Sequence, residues 1–70
     1  MSLKTAELGK EYRVSGIEMT DDALEGFLFS LGCYVGAPIT VISRRSGGCT
    51  VAIKDGRYHI DSKLAAAIFV

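Results

Sequence analysis

The chain carries one histidine, and that scarcity removes most catalytic arrangements. No Ser-His-Asp order has meaning at this length, and no Gly-rich phosphate loop leads into a helix. Gly47-Gly48 lacks both the lysine and the helix of a P-loop. The two cysteines, Cys33 and Cys49, have no metal-type spacing. No apolar run approaches the roughly 20 residues that span a bilayer. The start, MSLKTAELG, lacks the apolar stretch of a secretory signal. These absences give the expectation of a cytoplasmic protein with free thiols that is neither inserted in a membrane nor an enzyme. Repeats, low-complexity segments and linkers are also missing. Net formal charge is zero, so no global field draws the chain onto nucleic acid or acidic lipid.

What is present suits one small domain over residues 1–70. Nearly half of the residues are apolar, at 49%, which is enough for a packed core. Such a chain buries only about 60% of its unfolded surface, so the core is marginal and cannot be subdivided. Charge is unevenly spread. Up to Val35 the basic residues Lys4, Lys10 and Arg13 face Glu7, Glu11, Glu18, Asp21, Asp22 and Glu25, a net charge of −3. From Gly36 onward Arg44, Arg45, Lys54, Arg57 and Lys63 face Asp55 and Asp61, a net charge of +3. The pattern fits either a dipolar surface of no consequence, or self-association or docking on a charged partner.

The stretch from Thr20 to Gly36 organises the rest. Thr20 is placed to cap a helix, and Asp21 and Asp22 suit the positive end of its dipole. Leu24, Phe27, Leu28 and Leu31 fall at i, i+3, i+4 and i+7, one apolar stripe expected to pack inward, with Leu28 and Leu31 largely buried. Gly32 is expected at a left-handed helix stop, where a β-branched residue would be strained.

Before the helix, residues 2–9 read as a leading turn that pins the N-terminus to the core. Residues 10–17 alternate, with Tyr12 and Val14 on one face and Arg13 and Ser15 on the other, a half-buried strand with a bend at Gly16. After the helix come a strand over 38–43, a turn over 44–48, and a strand over 49–54 with Cys49, Val51 and Ile53 on one face. Asp55-Gly56 predicts a two-residue hairpin turn. Its register would pair Lys54 with Arg57, Ile53 with Tyr58, Ala52 with His59 and Val51 with Ile60, turning Tyr58 and Ile60 inward and His59 outward. Ser62 can cap a short turn over 63–66, and residues 68–70 make a last strand tied into the sheet. The fold class is mainly β with one or two short helices. About five short strands close into a small barrel that removes its own edges, with the main helix between strands 1 and 2.

In that order the sequence resembles the FeoA family of ferrous iron transport accessory proteins. The likeness begins at Leu8-Gly9 and runs through Ser15-Gly16-Ile17. Its most specific piece, Leu28-Phe29-Ser30-Leu31-Gly32-Cys33-Tyr34-Val35-Gly36, fits the pattern L-x-x-L-G-x-x-x-G. Ile39 to Ile42, Gly47-Gly48, Val51-Ala52-Ile53, Gly56, Ile60 and the closing Ala65-Ala66-Ala67-Ile68-Phe69-Val70 continue it. The chain departs from the family at Phe27 and Asp61, where many members carry arginine. The resemblance implies an SH3-like barrel in the cytoplasm that works with the GTP-dependent membrane iron transporter FeoB. The same barrel forms the C-terminal domain of metal-dependent repressors, but no DNA-binding or dimerisation segment precedes it here, so a whole repressor is not expected.

The partner face is expected on the outer side of the helix. Phe29 lies about 140° around from Leu24, at ~100° per residue, and off the apolar stripe. Phe29, Glu25, Gly26, Asp22 and Leu28 are the candidate partner-binding residues, unless residues 1–9 fold over Phe29. The alternative reading is a metal sensor or carrier related to the repressor barrels, holding Fe2+ or Zn2+, although no cofactor is required on the first reading. Its candidate ligands are Cys33, Cys49, His59 and Asp61. Cys49 should face inward and His59 outward, which separates them, while His59 and Asp61 share a strand face.

Overall fold

The alternating stretch near the N-terminus does not make one strand. In the computed structural model, which describes residues 1–70, it breaks into β1 (Glu11–Arg13) and β2 (Gly16–Ile17). The two halves join different sheets. β1 pairs antiparallel with β3 (Pro38–Arg45), Glu11 opposite Thr40 and Arg13 opposite Pro38. β2 pairs antiparallel with the last strand, which covers Ile68–Phe69. At the break the Val14 N–H donates to Ala37 O at 2.9 Å, and the next N–H, Ser15, donates to Phe69 O at 2.7 Å. The hydrogen-bonding partner thus changes within one residue, just before the expected bend at Gly16.

β3 continues through β4 (Gly48–Ile53) to β5 (Gly56–Asp61), giving a four-stranded antiparallel sheet in the order β1-β3-β4-β5. A six-residue helix, α2 (Ser62–Ala67), then leads into β6 (Ile68–Phe69). The expected closed barrel is corrected here. Two sheets share one core, and α2 lies between β5 and β6 with Ala65 buried, so hydrogen bonding does not run continuously around. The main helix, α1 (Asp22–Leu31), lies between β2 and β3, because the single strand expected before it is two.

Both helix caps sit one residue from the expected position. Asp21, not Thr20, caps α1: its Oδ1 accepts from Ala23 N–H at 2.9 Å and from Leu24 N–H at 3.2 Å. Asp61, not Ser62, caps α2, accepting from Leu64 N–H at 2.8 Å. A carboxylate satisfies the open N–H groups and adds charge that the helix dipole favours. Gly32 takes φ 96°, the left-handed stop expected of it.

Two further features reset the sheet. β3 runs through Arg44 and Arg45, so the turn is Ser46-Gly47, with Gly47 at φ 87°. A bulge lies between Val41 and Ser43, where Val41 faces Val51 but Ser43 faces Thr50. The extra residue, Ile42, puts Arg44, itself exposed, opposite the buried Cys49. There Arg44 Nη2 donates to the carbonyls of Leu3, at 2.8 Å, and Ala6. The N-terminal turn is pinned as expected, with Leu3 and Ala6 buried.

The β4–β5 hairpin turns at Lys54-Asp55. Ile53 pairs with Gly56, Val51 with Tyr58, Thr50 with His59 and Cys49 with Ile60. The expected register is therefore off by two residues. An even shift leaves every side chain on its face, so Ile60 is buried, Tyr58 half-buried and His59 exposed. Lys54 takes the positive φ, at 52°, in place of Gly56.

The core is built from Leu3, Val14, Leu28, Ile39, Val41, Val51, Ile53, Ile60 and Ile68. Of α1 only Leu28 is buried, at 0% exposure. Leu24 and Phe27 are exposed and Leu31 is half-buried, which corrects the inward stripe. A body of 28 × 23 × 21 Å has too little sheet to cover a whole helix face.

Leu28→Ala is expected to cost about 2–5 kcal/mol, against under about 1 kcal/mol for Leu24→Ala, measured by denaturant unfolding. Gly48 is a second sensitive point, since a Cβ there would lie 2.2 Å from Ile60 O. Gly48→Ala should destabilise by about 1–3 kcal/mol, because two backbone strands must move apart.

Candidate partner-docking site

Gly32 ends α1 and turns the chain through Cys33, Tyr34, Val35 and Gly36, the last also left-handed at φ 91°. That path returns Tyr34 to the helix it has just left. Its ring meets Phe29 with centroids 5.2 Å apart and planes at 40°, a tilted pair of the favourable kind. Lys54 Nζ lies 5.4 Å from the Tyr34 ring centroid, a cation over an aromatic face. The Lys54 stem crosses Gly32, where a Cβ would come within 3.0 Å of Lys54 Cδ and Cε. Glycine is thus required there for its backbone and for the room it leaves. The hairpin tip, the helix stop and the aromatic pair form one contact chain.

Beside this pair lies an open groove of about 530 Å³, lined by Ile17, Asp22, Glu25, Gly26, Phe29, Cys33, Tyr34 and Val35. Gly26 leaves a gap in the helix face, since nothing lies within 4 Å of a Cβ built on it. Phe29 is 65% exposed and Val35 64% exposed, so residues 1–9 do not cover the groove. Asp22 and Glu25 give the rim negative charge. Four of the five candidate partner-binding residues, Phe29, Glu25, Gly26 and Asp22, line this one surface. The fifth, Leu28, is fully buried and offers a partner no surface. Tyr34, Val35 and Lys54 join them in the structure without a sequence signal that points to the groove. Tyr34 and Val35 stand between two glycines in the motif region, but nothing local says that the tyrosine folds back on the helix.

The candidate metal ligands do not come together. Cys33 is buried beneath the groove. Cys49 faces the core opposite Ile60, and His59 is on the opposite sheet face against Thr50. The Asp61 carboxylate caps α2. No three His, Cys, Asp or Glu side chains form a set able to hold an ion, so these residues do not fit an intrachain metal centre. Burial pushes both thiols above their ordinary pKa, and at Cys49 the Arg44 charge offsets part of the rise.

An SH3-like body with an aromatic, acid-rimmed groove is the class this geometry defines. The chain belongs to the FeoA family: the FeoA domain model matches residues 1–70. Among solved structures, a crystallised iron uptake regulatory protein, FeoA, is 25% identical with a TM-score of 0.82, the match covering 97% of this chain and 91% of that one. A manganese-dependent transcriptional repressor is 26% identical with a TM-score of 0.88 over 100% of this chain, which spans only 40% of the repressor. Stenotrophomonas maltophilia FeoA complexed with zinc, described as a procaryotic SH3 domain protein, shares the fold at 19% identity and a TM-score of 0.84, covering 100% of this chain and 88% of that one. No curated protein matches by sequence.

The two thiols set a pH dependence. Because the unfolded thiols release protons at lower pH than the folded ones, stability is full below the ordinary thiol range and falls as pH rises past about 8.5. The melting temperature should drop between neutral and alkaline pH, and drop less in Cys33→Ala. At neutral pH both thiols should resist alkylation until denaturant is added.

Proposed function

We propose that the chain is an accessory protein of ferrous iron transport that binds and regulates the FeoB-type transporter at its cytoplasmic side, through the groove beside α1. Family membership supports the transport context. The observation that carries the docking face is Phe29, a large aromatic 65% exposed and held by Tyr34 rather than by the core. Exposed aromatic anchors ringed by polar residues are the usual carriers of interface energy. The partner segment that fits would place an apolar side chain over Gly26 against Phe29 and basic residues on Asp22 and Glu25. The protein's contribution is shape and charge. No helix is long and apolar enough to cross a membrane.

Phe29→Ala is expected to leave folding nearly intact and to weaken transporter binding by about 1 kcal/mol or more, read by a paired thermal melt and pull-down. Phe27→Ala, on the other flank of Leu28, should leave binding unchanged. If the Phe29 variant melts many degrees lower while binding per folded molecule stays the same, the docking face lies elsewhere.

A further inference from the structure

A second cavity shares no residue with the α1 groove. It measures about 260 Å³ and is lined by Lys4, Arg44, Arg45, Gly47, Gly48, Cys49, Ser62 and Ala65. Its lining includes three basic residues, Lys4, Arg44 and Arg45, and no carboxylate. The fold builds this concentration of charge. The bulge at Ile42 sets Arg44 opposite Cys49, and its Nη2 holds the carbonyls of Leu3 and Ala6, which fixes the turn that carries Lys4. Those bonds engage one guanidinium nitrogen and leave the other donors of the fork available. Arg45 pairs with Gly48 across the hairpin. The Ser62 N–H donates to Gly47 O at 2.9 Å, tying the hairpin turn to the start of α2, so the two walls are fixed together. Ser62 also brings a hydroxyl.

One opposing charge stands beside the cavity without lining it. Asp61 stands opposite Gly48 on the neighbouring strand, where its carboxylate keeps its charge and is turned toward the start of α2 by the Leu64 N–H. The Cys49 thiol, raised in pKa by burial, stays neutral at physiological pH. Gly48 contributes no side chain to fill the space.

We propose that this cavity binds a phosphate group, either as free phosphate or as the terminal phosphate of a small molecule. Guanidinium forks match the oxygen spacing of phosphate, and a lysine ammonium adds a compact charge. The volume lies below the ~300–1,000 Å³ of sites for drug-sized ligands, which suits one small anion.

The test is a titration of the isotope-labelled protein, at constant ionic strength, with inorganic phosphate in one arm and glycerol phosphate in the other. Saturable amide shifts at Gly47, Gly48 and Ser62 are expected. Arg45→Ala and Lys4→Ala, both on exposed side chains, should each weaken binding about fivefold or more, while Arg57→Ala, outside the cavity, should not. Equal or tighter binding of glycerol phosphate assigns the site to a phosphorylated small molecule, and binding of inorganic phosphate alone assigns it to the free ion. Shifts that fail to saturate, or an Arg57→Ala loss equal to that of Arg45→Ala, would overturn the proposal.

Discussion

Residues 68–70 have hydrogen-bond partners on two sides, and much of the molecule depends on that placement. Ser15 N–H reaches Phe69 O at 2.7 Å and Glu18 N–H reaches Ala67 O at 2.8 Å, along β2. On the other side Leu3 N–H donates to Ile68 O at 3.0 Å, and Val70 N–H donates to Met1 O at 2.8 Å. The two-stranded sheet exists only through this pairing. It also seats Leu3 and Ile68 in the core, both at 0% exposure. In so small a domain the apolar surface available is barely enough, so an unpaired end would leave both core residues and a strand edge open to water. Arg44 reinforces the arrangement from the opposite side, since it holds the same N-terminal turn by its carbonyls.

Local chemistry was legible in the sequence where one residue type has one use. Gly32 sits in the left-handed region because the helix must stop there. The inward face of β4 and β5 was also legible, even though the pairing was displaced, because a shift of two preserves faces. The caps were ambiguous, since Thr20-Asp21 and Asp61-Ser62 each offer two capping residues in a row, and only the hydrogen bonds decide. The stripe of Leu24, Phe27, Leu28 and Leu31 failed for another reason. Periodicity says which side chains share a face, and it does not say how much sheet exists to cover that face. The bulge at Ile42 was invisible inside the β-branched run from Ile39. At the groove, Phe29, Gly26, Asp22 and Glu25 were readable as one side of a helix. Tyr34 and Lys54 were not, because they arrive through a backward turn and a distant hairpin.

The separation of charge along the sequence becomes a separation in space. The acidic half supplies the groove rim with Asp22 and Glu25, and the basic half supplies Arg44 and Arg45 at the other cavity, joined by Lys4 from the N-terminal turn. Two surfaces of opposite sign on a neutral body orient an approaching partner more than they attract it from afar. The apolar groove with its acidic rim and the cavity lined by basic residues share no lining residue.

The meeting of Met1 with Val70 also bears on how such a fold can be reused. A body whose first and last residues are neighbours leaves and enters at a single point of its surface. It can hang from a longer polypeptide on one tether, with no strand rerouted and no core residue replaced. The same architecture occupies 40% of a manganese-dependent repressor and 91% of a crystallised FeoA. Portability of this kind follows from where the ends are pinned and does not depend on what either cavity binds.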